Sequence, residues 1–207
     1  MTAALLLLLV AALTSLTLTP LVRTFARNHG WMDQPDGGRK QHAGPIPRIG
    51  GVAVYAAFLL ASSLLLALEP MGLAPGSALV SAYGPLLLGC AAVMGVGLVD
   101  DIRGVPPAGK LVVQAVAALY LYDNGFRIDA LSNPINGASI SLGFWALPLT
   151  VLWFVSMSNA FNLIDGLDGL AAGIGLFSTT TLFLAAALNE RWEIVMLSAA
   201  LAGSLLG

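Results

Sequence analysis

VLWFVSMSNAFNLIDGLDG, residues 151–169, decides how this chain is read. It closes a run, 130–164, that contains no charged residue, and then Asn159, Asn162, Asp165 and Asp168 crowd together. An Asp at the centre of a spanning helix costs roughly 2.5–3.5 kcal/mol. Polar groups gathered at one end of an apolar span therefore read as a site at a membrane face. The four residues are spaced by threes, so neighbours lie close on a helical surface, while the set drifts around the axis. Gly166 and Gly169 weaken the helix where the acids occur. The stretch predicts a helix end opening into a tight turn, with carboxamides on its last turns and carboxylates at the rim. A plain Asn-Asp-Gly connection would explain the Asp-Gly repeats, but not two carboxamides facing back into an apolar span.

The composition supports a membrane protein. The chain has 207 residues, of which 57% are hydrophobic and 10% charged, whereas soluble domains carry roughly 25% charged residues. Mean hydropathy is +0.86. The net charge of −2 identifies no partner, because placement of charge matters more than its sum here. The single cysteine, Cys90, sits in an apolar segment and excludes an intrachain disulfide. Residues 1–22 are uncharged, lack a basic n-region, and precede Arg23 and Arg27. They read as a retained first span rather than a signal peptide.

Uncharged windows place the spans at 3–22, 49–68, 78–99, 107–122, 144–164 and 170–188, with a seventh starting near 193. The predicted fold is an all-α, polytopic transmembrane helix bundle of about six full spans plus a partial seventh, forming one membrane domain over 1–207. The fourth span is the weakest and needs Lys110 to snorkel. Asn133-Pro134, Asn136-Gly137 and a Ser-Ile-Ser-Leu alternation mark 123–142 as an extracytoplasmic loop or small hairpin.

With the amino terminus outside, the cytoplasmic segments are a basic loop 23–48, an Asp-Asp loop 100–110 and an Asp-rich turn 165–169. Seven of the nine Lys and Arg residues then fall inside, as the positive-inside rule requires. Asp100, Asp101, Asp165, Asp168 and the basic loop all reach one face.

Asp100 and Asp101, predicted at a helix C-terminus, oppose the macrodipole there and need a cationic partner. Arg103 could supply it, or Asp101 could cap the following helix; alternatively the pair serves a divalent cation. In the basic loop, Arg39, Lys40, His42 and Arg48 supply donors on a chain bent by prolines and glycines. By itself such a loop suits anionic lipid. Facing carboxylates, it becomes a candidate phosphate clamp. Acids for a metal and bases for phosphate at a membrane surface point to phosphoryl chemistry on a lipid, with Mg²⁺ bridging carboxylates and phosphates.

Three ordered blocks, DQPDGGRKQH…PIPRIGG (33–51), GLVDD (97–101) and NAFNLIDGLDG (159–169), together resemble the polyprenyl-phosphate N-acetylhexosamine-1-phosphate transferases, the glycosyltransferase 4 type. The resemblance implies an enzyme that transfers a sugar-1-phosphate from a UDP-sugar to undecaprenyl phosphate, releases UMP and uses Mg²⁺, with Mn²⁺ as an alternative. It would initiate a lipid-linked envelope glycan, of lipopolysaccharide or teichoic acid kind, at the cytoplasmic face of the bacterial plasma membrane. Pro-Ile-Pro-Arg48 and Arg-Lys-Gln-His resemble the UDP-N-acetylglucosamine branch; the phospho-MurNAc-pentapeptide transferases carry Thr-Pro-Thr-Met-Gly-Gly there. By the same resemblance Asp100, Asp101 and Asp165 are catalytic and metal-proximal. Asn159, Asn162 and Asp168 fall on the nucleotide side, and Lys40, His42 and Arg48 go to the diphosphate. Undecaprenyl phosphate, UDP-N-acetylglucosamine, the bilayer and a second copy in a homodimer are the expected partners; nucleic acid is not.

The family's Met-Gly-Asp-x-Gly-Ser block, whose Asp is its principal Mg²⁺ ligand, does not occur in these residues. The expectation is a C-terminally truncated fragment, inactive alone. A cation-coupled transporter predicts acids near the midplane rather than at span ends. A CDP-alcohol phosphatidyltransferase needs an Arg that the Asp168-Gly-Leu-Ala-Ala-Gly stretch lacks. A structural membrane subunit is the remaining rival.

Overall fold

The computed structural model describes residues 2–33, 45–68, 78–165 and 169–207. Seven helices dominate among them: α1 (Thr2–His29), α2 (Gly51–Leu68), α3 (Ala78–Arg103), α4 (Pro107–Asp123), α5 (Ala146–Ile164), α6 (Leu170–Leu188) and α7 (Trp192–Leu206). Two short antiparallel ribbons accompany them, β1 (Met32–Asp33) with β2 (Ile46–Pro47), and β3 (Ala130–Ser132) with β4 (Ser139–Ser141). The chain is thus a helical membrane protein.

Four helical stretches among the described residues are long and apolar enough to cross a bilayer, lying in α1, α3, α5 with its preceding turn, and α6. The expectation of a polytopic helix bundle is met to that extent. At 17 residues α4 is shorter than these, against the ~20 that hydrocarbon thickness asks for.

Helix ends also depart from the uncharged windows, because backbone geometry stops a helix and charge does not. α1 runs past Arg23 and Arg27 to His29, where Gly30 turns left-handed at φ 73°. There the Trp31 N–H reaches the Ala26 carbonyl at 3.0 Å and the Gly30 N–H the Arg27 carbonyl at 3.2 Å, a Schellman closure. The start of the basic segment is therefore helix rather than loop, and its cations favour the helix C-terminus. α4 ends the same way at Gly125, while α6 ends with the left-handed position filled by Glu190 at φ 54°. α3 likewise continues through Asp100 and Asp101 to Arg103, and Gly104 ends it.

The chain divides into two compact units, Met1–Tyr83 with Ile164–Gly207, and Gly84–Leu163. In the first, α1 packs on α2 and α7, and α7 also packs on α6. The α1–α7 seam is made of small residues. Ala11 meets Gly203 and Ser15 meets Ser204 there, and Ala4, Ala199 and Ala200 are buried as well. Ser15 Oγ donates to the Ser204 carbonyl at 2.8 Å across it. In apolar surroundings close backbone approach of this kind is the main source of helix association, since lipid tails compete for every larger apolar side chain. Tyr83, fully buried, donates its hydroxyl to the Glu193 carbonyl at 2.9 Å.

In the second unit, Leu121 of α4 fills the space above Gly89 of α3. The predicted hairpin within 123–142 is present. Its strands pair Leu131 with Ile140, and Asn133 and Asn136 each accept a backbone N–H within the turn, at 2.9 and 3.0 Å, with Gly137 left-handed. Thr150 of α5 anchors the approach to the hairpin. Its buried hydroxyl accepts the Ile128 N–H at 2.9 Å and donates to the Ala146 carbonyl at 2.6 Å.

Candidate functional site

In the Gly84–Leu163 unit, Asp100 and Asp101 occupy the last turn of α3, where unpaired carbonyls make the helix end negative. Among the described residues it is Lys110 of α4, rather than Arg103, that meets Asp100. Its Nζ lies 2.8 Å from Asp100 Oδ2. Asp100 Oδ1 accepts the Val105 N–H at 2.9 Å, so one carboxylate ties the α3 end, the Gly104–Pro106 break and α4 together. The α4 cap position is Pro106, without a side-chain cap bond, which removes the reading of Asp101 as that cap. Physically, the Pro106-Pro107 pair supplies the preset φ of a first helical turn and needs no N–H acceptor. Asp100, Asp101 and Lys110 are all half-buried. That shields the ion pair from solvent more than a surface bridge.

One turn beyond Lys110, on the same face of α4, lies Gln114. It is buried. Its Nε2 donates to Ser158 Oγ at 3.2 Å, and its Oε1 accepts from Asn159 Nδ2 at 2.7 Å. Asn159 Nδ2 also donates to the Val155 carbonyl at 2.7 Å. Asn159 and Asn162 are both exposed on the final turns of α5. Asp165, also exposed, begins the turn past the helix end at Ile164, as the Asn-Asp spacing predicted.

In the other unit, Arg48 reaches back across the β1–β2 ribbon. Its Nε and Nη2 donate to Asp33 Oδ1 at 3.1 and 2.9 Å, and its backbone N–H bonds the Trp31 carbonyl at 3.1 Å. Arg48 therefore closes the base of the basic segment as well as offering charge at its edge. Lys40, His42 and Asp168 lie outside the described residues. Among the described residues no three His, Cys, Asp or Glu side chains gather as a metal-binding group.

Sequence reasoning missed Gln114, Ser158 and Asp33, and treated Lys110 only as a snorkelling residue. The signal for Gln114 was present: it is the one polar side chain in the apolar run 111–119, four residues past Lys110. A polar residue there is costly unless it has a partner.

Residues 83–207 match the sequence pattern of glycosyl transferase family 4. A Bacillus subtilis protein named a probable undecaprenyl-phosphate N-acetylglucosaminyl 1-phosphate transferase is 33% identical over 96% of this chain and 52% of its own length. A decaprenyl-phosphate N-acetylglucosaminephosphotransferase of Mycolicibacterium smegmatis is 32% identical over 96% of this chain and 51% of its own. A phospho-N-acetylmuramoyl-pentapeptide-transferase of Moorella thermoacetica is 32% identical over 97% of this chain and 64% of its own. The chain spans about half the length of the first two relatives.

Proposed function

The chain belongs to glycosyl transferase family 4, and we propose on that premise that it acts in transferring N-acetylglucosamine-1-phosphate from UDP-N-acetylglucosamine to undecaprenyl phosphate. The reaction would take place at the cytoplasmic face of a bacterial plasma membrane. An oxygen of the lipid phosphate bonds to the phosphorus of the sugar-1-phosphate. The bond from that phosphorus to the bridging oxygen breaks, and its electron pair leaves with UMP. A phosphate monoester with a second pKa of about 6 is mostly dianionic at pH 7, so positioning and charge neutralisation matter more than a strong base.

The observation that carries this reading is the end of α3, where two carboxylates and the Lys110 ammonium share one site. Lys110 suits a lipid phosphate. Asn159, Asn162 and Asp165 at the end of α5 suit the sugar nucleotide, with Asp168, Lys40, His42 and Arg48 completing the expected set. The donors are hard oxygens, the kind Mg²⁺ takes. At Asp100 the oxygens also accept the Val105 N–H and Lys110 Nζ, and the ammonium repels a dication. When bound, the metal would neutralise diphosphate charge.

The test is transfer of labelled sugar-phosphate from UDP-N-acetylglucosamine to undecaprenyl phosphate by the full-length gene product. Asp101→Asn and Asp165→Asn should each lower turnover by roughly 100-fold or more, the scale of losing a charge-stabilising group. Unchanged rates in both would remove the site assignment. Transfer only from UDP-MurNAc-pentapeptide would select the pentapeptide branch, which the Moorella similarity keeps as the second reading.

A further inference from the structure

Gln114 is an uncharged polar side chain buried in α4, one turn past Lys110. Among the described residues its side-chain bonds run to α5, to Ser158 and Asn159. The orientation of every amide in this cluster follows from one fixed point. The Val155 carbonyl can only accept, so the Asn159 atom 2.7 Å from it must be the nitrogen. That same nitrogen faces Gln114 at 2.7 Å, so the Gln114 atom there must be its oxygen. The Gln114 nitrogen is left for Ser158 Oγ, which accepts it at 3.2 Å.

Both hydrogens of the Asn159 carboxamide are consumed by this arrangement. Its Oδ1 takes no hydrogen bond among the described residues, and the residue is exposed. We infer that Gln114 is a positioning residue that, together with the Val155 carbonyl, holds Asn159 with its oxygen outward, making Asn159 an acceptor for a hydroxyl or N–H of the sugar nucleotide. The inference rests on the proposed function, in which Asn159 lines the nucleotide-sugar site. It goes further in stating the polarity of that contact. Locked this way, Asn159 cannot donate to a phosphate oxygen, and the diphosphate must be held by other groups. Without Gln114 only the Val155 carbonyl holds the carboxamide nitrogen, and with one of its two hydrogens unpaired the group turns more readily about a terminal torsion that is broad and roughly two-fold.

The experiment measures KM for each substrate in the full-length gene product. Gln114→Met keeps the volume but removes the acceptor, and Ser158→Ala removes only the group that holds Gln114 in register. Gln114→Met should raise KM for UDP-N-acetylglucosamine roughly tenfold, the scale of one lost hydrogen bond, with KM for undecaprenyl phosphate unchanged. Ser158→Ala should raise the same constant by a smaller factor, and it tests the idea even if Gln114→Met fails to fold. In an Asn159→Ala background neither change should have any further effect, because the role runs through Asn159 alone.

Equal KM increases for both substrates, or a Gln114 effect that persists in the Asn159→Ala background, would overturn the inference in favour of a purely structural bridge. An unchanged KM in both single variants would overturn it too. Failure of the wild-type protein to use any UDP-sugar would instead defeat the proposed function, so the two failures are distinct.

Discussion

Replacing Gly203 by alanine tests how closely α1 and α7 approach. A Cβ built on Gly203 would lie 2.2 Å from the Leu8 carbonyl oxygen and 2.9 Å from Ala11 Cβ. Carbon and carbonyl oxygen ordinarily touch at about 3.3 Å, so the helices must part by roughly 1 Å. Neither obstacle is a flexible side-chain end, and a clash of this kind costs about 1–3 kcal/mol. The Ser15–Ser204 bond, 2.8 Å long and one residue further on, would stretch beyond bonding range and forfeit another ~0.5–1.5 kcal/mol. Against this, alanine gains ~1 kcal/mol over glycine in a helix. The net loss is about 2 kcal/mol. Gly173→Ala in α6 is the matched control, because nothing lies within 4 Å of its Cβ. There the propensity term acts alone, and stability should rise by up to ~1 kcal/mol. Thermal unfolding in detergent should show Gly203→Ala melting roughly 4–8 °C below wild type, and Gly173→Ala a few degrees above it. If Gly203→Ala melts at or above wild type alongside Gly173→Ala, the seam is not close-packed and the reasoning fails.

Thr150→Val keeps the shape of a buried residue but strips the acceptor from the Ile128 N–H. It should cost about 1–3 kcal/mol, seen as a lower melting temperature and as faster amide exchange at the hairpin base. Topology is checked by single cysteines in a Cys90→Ser background. A membrane-impermeant maleimide should label Ser139→Cys in intact cells and reach Arg103→Cys only after permeabilisation; the opposite pattern would invert the orientation derived from Lys and Arg.

Much of the fold was legible because a bilayer imposes simple demands. Long uncharged runs had to become helices, and each predicted window does contain one among the described residues. The hairpin was legible from Asn-Pro and Asn-Gly, whose turn chemistry is local. Helix ends were misplaced by a few residues at Arg27 and Arg103, because charge was used as the stop signal where Gly30 and Gly104 set it. The β1–β2 ribbon went unseen, since its strands are two residues each and carry no periodicity.

The sequence by itself determined where carboxylates and carboxamides gather, at the ends of apolar runs, because such groups are too costly to leave in hydrocarbon. It also determined the break at Asp165, because Asp-Gly repeats cannot continue a helix cheaply. Only the tertiary structure decided which groups serve one another. Lys110 rather than Arg103 answers Asp100, Asp33 answers Arg48, and Gln114 accepts from the carboxamide of Asn159. Such pairings join different helices and strands through side-chain directions and distances of about 3 Å, and a linear string of residues records neither.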